Sequence, residues 1–210
     1  MADLVDLIKG QLSDQLIGQL SNQIGGARRE QTSVAAQGIV NTLIGALAQN
    51  AQSQTGVQNI RQAVQRDHDG SILDQLGDLF GGRTQVRPEQ TRTLNGAGIL
   101  KHILGNRQNG AIDMISRMSG LDQSKTGSLM TMLAPVVMGM IGRQTRQNKL
   151  DDNGLAGLLT NTVSRERANP GNPMIDVAAR FLDSDGDGSA MDDIAGMGMR
   201  FLGNLLGGRR

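Results

Sequence analysis

Apolar residues recur every three to four positions along almost the whole chain. Leu4, Ile8, Leu12, Leu16, Leu20 and Ile24 stand four apart with Leu7 and Ile17 beside them, a single stripe on a helix face. The spacing predicts one continuous helix through this segment. Further helical patterns run over residues 30–49, 57–66, 72–80, 98–104, 111–118, 124–144, 154–163, 174–182 and 190–206. No comparable run alternates with period two, so the expected fold is all-α, a multi-helix bundle. The most apolar stretch, residues 129–142, carries Thr131 and Pro135 and falls short of the roughly 20 residues that a membrane span needs. It reads as a buried core helix kinked at Pro135, and no membrane span is expected.

Residues 81–93 (GGRTQVRPEQTRT) interrupt the periodicity with Gly81, Gly82 and Pro88. They are expected to link a first helical unit, 1–80, to a second, 94–210. The two sides echo each other. VNTLIGALA at 40–48 aligns with APVVMGMIG at 134–142, pairing Leu43 with Val137, Gly45 with Gly139 and Leu47 with Ile141. DHDGSILD at 67–74 aligns with DGDGSAMD at 185–192. The offset between copies grows from 94 to 118, which places an insertion in the second unit, at about 165–182 with Pro170 and Pro173. Two related helical halves, an internal duplication, are the expectation.

Composition narrows the function classes. Gly occurs 29 times, often inside helical patterns (Gly18, Gly45, Gly139, Gly198, Gly203). Each such Gly costs about 1 kcal/mol relative to Ala, so close approach of neighbouring helices is the expected compensation. Trp and Tyr are absent and Phe occurs three times, which leaves no platform on which bases could stack. A net charge of +1 supplies no field to gather polyanions, and no nucleic acid partner is expected. The chain has no Cys, hence no thiolate nucleophile, disulfide frame or Cys-based metal site. Together with an acidic start (MADLVD) unlike the basic opening of a secretory leader, this makes a cytoplasmic location the expectation.

Three elements carry a family resemblance: GILKHILG at 98–105, LDQSKTGSLMTMLAPVVMGM at 121–140, and the late run DSDGDGSAMDDIAGM. They resemble the bacterial domain-of-unknown-function family numbered 937, over about residues 30–206. The resemblance implies a helical bacterial protein without an assigned reaction and supplies no catalytic residues.

No catalytic constellation can be assembled from the residue list. His68 and His102 are the only histidines and are far apart in sequence, with no metal-ligand spacing. Lys125, Thr126 and Gly127 spell KTG, but without the SxxK and SDN partners that give that triplet chemistry. Asp151 and Asp152 precede an apolar helix and read as first-turn acids that complement its dipole. The basic pairs Arg28/Arg29, Arg143/Arg146, Arg165/Arg167 and Arg209/Arg210 sit near expected helix ends or loops, where solvated charge is the simpler account than phosphate binding. The expectation is a protein that is not an enzyme.

Three features remain as candidate surfaces. Gln11, Gln15, Gln19 and Gln23 stand one position before residues of the Leu stripe. They form either a solvated flank or a hydrogen-bonding border around a contact between subunits, a homo-oligomer or a complex with a protein partner, for which the pliable Met130, Met132, Met138 and Met140 are suited. Residues 194–210 (IAGMGMRFLGNLLGGRR) are amphipathic and read as a helix docked through Phe201, Leu202, Leu205 and Leu206, in preference to one lying on a membrane. Last, Asp183, Asp185 and Asp187 occupy positions 1, 3 and 5 of a calcium loop, Gly188 stands at 6 and Ser189 offers its carbonyl at 7. Position 12 is Ile194 rather than a bidentate Glu, with Asp192 and Asp193 at 10 and 11. Two readings fit. In one the loop binds calcium weakly; in the other Ser189 caps the next helix and Asp192 answers it, as Ser71 and Asp74 would in the earlier copy.

Overall fold

The computed structural model describes residues 4–81 and 93–168, together with Ala178. Its helices are α1 (Leu4–Gln11), α2 (Asp14–Gln23), α3 (Arg29–Asn50), α4 (Gln54–Arg66), α5 (Leu76–Phe80), α6 (Gly96–Leu104), α7 (Gln108–Ser119), α8 (Gln123–Gln147) and α9 (Asp152–Ala168). Short 3-10 turns at Ser71–Gln75 and Gly105–Arg107 precede α5 and α7. No strand occurs among the described residues, so the all-α expectation stands. The expected helices over 174–182 and 190–206 lie outside them.

The first expected helix is two. Ser13 leaves the helical conformation at φ −59° and ψ 159°, and its side chain accepts a hydrogen bond from the Leu16 amide at 3.3 Å. A serine followed by an acid is a helix start, and here that local preference wins over an unbroken stripe. The stripe still faces one way. Leu4, Ile8, Leu16, Leu20 and Ile24 are all buried, against α3 for α2 and against α3 and α8 for α1.

The long helices α3 and α8 pack on each other at the centre. Their central stretches, residues 35–48 and 129–142, are apolar nearly all round, as buried helices must be; thirteen residues of α3 and fourteen of α8 are buried. Each also carries the helix that follows the other: α9 packs on α3, and α4 packs on α8. Helices from before residue 81 and after residue 93 therefore share one hydrophobic core. The expected linker itself falls largely on 82–92, outside the described residues.

α8 runs through Pro135 as one helix. Proline has no amide hydrogen, so the Thr131 carbonyl one turn earlier lacks its helical donor. The start of α6 lies on that carbonyl. A Cβ added to Gly96 would stand 1.8 Å from the Thr131 oxygen, so only glycine lets the two backbones meet. Further along α8, a Cβ on Gly142 would stand 1.7 Å from the His68 oxygen, and one on Gly139 would stand 2.8 Å from the Ile72 methyl Cγ2. Gly142 admits the backbone of a loop, Gly139 the side chain of Ile72, and Gly96 brings a helix start onto α8, a finer version of the expected helix–helix approach.

Candidate functional site

The candidate calcium ligands Asp183, Asp185, Asp187, Ser189, Asp192 and Asp193 lie outside the described residues. Their earlier echo, 67–74, is described, and arginines hold it. Asp69 Oδ1 accepts from the Ser71 amide at 3.0 Å, and its Oδ2 accepts from Arg146 Nη1 at 3.0 Å. Arg143 Nη2 donates to the Gly70 carbonyl at 2.9 Å and to Asp74 Oδ1 at 2.6 Å. Gly70 takes φ +96° and rests against Arg143 Cβ, a conformation and a space that both require glycine. Asp67 pairs with its neighbour Arg66.

This geometry corrects the capping reading of the earlier copy. Ser71 is the first residue of its 3-10 turn, Gly70 stands at the cap, and no side chain caps that turn. Asp69 bonds the Ser71 amide instead, and Asp74 turns to Arg143, whose fixed fork suits a carboxylate and a carbonyl at once. Arg143 and Arg146, expected as solvated charge, fasten the loop to α8. The Ser71 amide holds the Asp69 pKa below its ordinary value, with Arg146 acting the same way.

His68 belongs to the same loop. It is 5% exposed and its Nδ1 has no hydrogen-bond partner. Burial pushes its pKa down; Asp67 opposes the shift and Arg66 adds to it. The neutral ring borders a groove of about 960 Å³ between α4 and α6. One wall presents Asn59, Ile60 and Ala63, the other Asn95, Ile99 and His102, and Met138 reaches it from α8. At one end of the groove, Asn50 donates to the Ile103 carbonyl at 3.2 Å and Arg107 to Gln49 Oε1 at 2.6 Å, which fixes α3 to the α6 region. Periodicity did not reveal this groove, because its walls come from helices separated by the whole 67–95 stretch.

Several of the other singled-out residues have structural partners. His102 is exposed, and its Nδ1 lies 2.7 Å from the Gly98 carbonyl of its own helix. Thr126 of the KTG triplet is buried and receives a hydrogen bond from Ser116 at 2.9 Å, joining α7 to α8. Asp151 accepts from the Gly154 amide at 2.8 Å as the cap of α9, and Asp152 pairs with Arg61 of α4. Of the Gln row, Gln19 donates to the Gly77 carbonyl at 3.4 Å and Gln23 to the Phe80 carbonyl at 3.0 Å. Those two amides close the end of α5 within the chain, while Gln11 and Gln15 are exposed. Among the described residues no three His, Asp or Glu side chains gather as a metal site, and no helix is long and apolar enough to cross a membrane.

A family model described as "Bacterial protein of unknown function (DUF937)" matches residues 6–144, more than half of the chain. The match includes the HILG and LAPVVMG elements and reaches further toward the start than the resemblance at 30–206; the DSDGDGSAMDDIAGM run lies beyond it. No curated protein and no solved structure matches the chain.

Proposed function

The chain belongs to that bacterial family of unknown function, and from this premise we propose that it is a non-enzymatic cytoplasmic protein that works by self-association. The observation that carries the reading is the groove between α4 and α6. Its walls set apolar residues (Ile60, Ala63, Ile99) beside neutral amides (Asn59, Asn95) and the mutually paired Arg66 and Asp67, a composition that suits the apolar face of a helix. A second copy of the chain is the source of that helix. The Leu stripe of α1 and α2, the other candidate surface, is spent on the chain's own core. Sedimentation equilibrium of the full chain tests the reading. Wild type should sediment above monomer mass, and Ile99→Glu, which sets a charge in the groove wall, should shift it toward monomer with unchanged helical circular dichroism. Monomer mass for wild type at every concentration refutes it.

We also infer that the bundle descends from a doubled helical unit. In support, α2 and α7 begin 94 residues apart (14 and 108), as do α3 and α8 (29 and 123). That spacing equals the sequence echo between 40–48 and 134–142. The reciprocal packing of α4 on α8 and α9 on α3 is what a two-fold repeat of one unit produces.

A second reading is a calcium-responsive module, favoured by the arginines of the described loop. At the same offset of 94, Arg143 and Arg146 correspond to Gln49 and Gln52. The later copy carries more acids, and the positions in and just after α3 that correspond to the two arginines of α8 are neutral. A cation is one way to balance Asp183, Asp185 and Asp187, and weak calcium binding is the expected form. Titration calorimetry on wild type and on the double variant Asp185→Ala, Asp187→Ala decides it. Heat with wild type alone supports the reading, and no heat at millimolar calcium removes it.

A further inference from the structure

We infer that residues 194–206 of this chain are the helix that fills the groove between α4 and α6, an inference that rests on the self-association reading and names its contact. The groove volume of about 960 Å³ equals about two turns of a helix 10–12 Å across. In the doubled arrangement α6 and α4 correspond to α1 and α9, and α1 and α9 pack directly on each other. The corresponding pair stands open instead. His68 supports an occupant independently: it is buried, borders the groove and has an Nδ1 without a partner, a state that a bound polar group would relieve.

The segment fits in pattern, charge and reach. Ile194, Met197, Phe201 and Leu205 recur at three- and four-residue spacing and would form one apolar stripe on a helix. Arg200 is its one charge and falls roughly 100° round a helix from that stripe, so the face turned to the groove is uncharged, as suits a groove whose own Arg66 and Asp67 already pair with each other. Gly196, Gly198 and Gly203 make a poor isolated helix, so helix formation here depends on burial against another surface. Residues 179–193, which follow the buried Ala178, can span about 50 Å when extended, comparable to the width of a bundle of this size. The contacts are the same whether the segment comes from its own chain or from a second copy. The tether supplies an effective concentration in the millimolar range, so filling within one chain dominates in dilute solution, and exchange joins copies as concentration rises.

Disulfide trapping tests this cleanly, because the chain contains no Cys. The full chain carrying Asn59→Cys and Leu202→Cys is oxidised, beside a control with Gln37→Cys and Leu202→Cys. The groove pair should cross-link at least about five-fold faster than the control, as a monomeric band in dilute protein and increasingly as a dimer with concentration. Adding Phe201→Glu to the groove pair should abolish the cross-link while helical circular dichroism is kept. Equal rates for the two pairs, or cross-linking indifferent to Phe201→Glu, overturn the inference even where wild type sediments as an oligomer. A groove cross-link that stays monomeric at every concentration keeps the segment in the groove and refutes self-association through it.

Discussion

The carbonyl of His68 rests on the bare Cα of Gly142: a Cβ there would stand 1.7 Å from that oxygen. Neither backbone can give way cheaply, since α8 is buried along this face and its own Arg143 and Arg146 hold the loop against it. Gly142→Ala should therefore cost at least about 2 kcal/mol, in the range of overpacked cores. Gly157, inside α9 with nothing within 4 Å of an added Cβ, is the matched control. Gly157→Ala should stabilise by up to about 1 kcal/mol through helix propensity. Thermal denaturation of both variants checks the pair, and equal effects would contradict the packing account.

Arg143 bonds both the Gly70 carbonyl and Asp74 from a partly buried position. Arg143→Gln should cost about 1–2 kcal/mol, chiefly by leaving that carbonyl with a poorer donor. Hydrogen exchange should quicken at 71–75 and stay unchanged in α7. A uniform change across the bundle would contradict this local role.

His68 gives stability a pH dependence of definite sign. Its pKa in the folded chain is lowered, first by burial, with Asp67 opposing and Arg66 adding. Between the ordinary histidine value and the lowered one, the unfolded chain binds the proton and the folded chain does not. The contribution is complete above the ordinary value and is lost as pH falls through the folded one. Melting temperature followed from about pH 7.5 to about pH 5 should fall more steeply for wild type than for His68→Gln. Parallel curves would contradict the assignment.

Ser13 separates α1 from α2 by accepting from the Leu16 amide. Ser13→Ala should cost about 1 kcal/mol in chemical denaturation, the usual worth of a serine cap. No change would mean that packing of the stripe alone sets the break.

Much of this fold is legible in the sequence because buried faces impose a period. The expected helix at 30–49 is α3 at Arg29–Asn50, and that at 124–144 is α8 at Gln123–Gln147. The break at Ser13 was missed because an apolar stripe continues across a cap when both helices bury the same side. The 3-10 turn at Ser71–Gln75 hid inside an apparent helix, since Ile72, Leu73 and Leu76 are buried in either geometry. The role of Arg143 and Arg146 was out of reach of periodicity, because their partners Asp74 and Asp69 stand about seventy residues away. Only the echo between the two halves hinted that the 67–74 loop had structural work to do.

The central claim is that copies of this chain associate through the groove between α4 and α6. Light scattering of the purified full chain over a wide concentration range, first with calcium and then with chelator, tests it most directly. The account predicts a mass that rises above the 22.3 kDa monomer with concentration, and does so in calcium and in chelator alike. A mass fixed at the monomer value throughout, in calcium and in chelator alike, would contradict it.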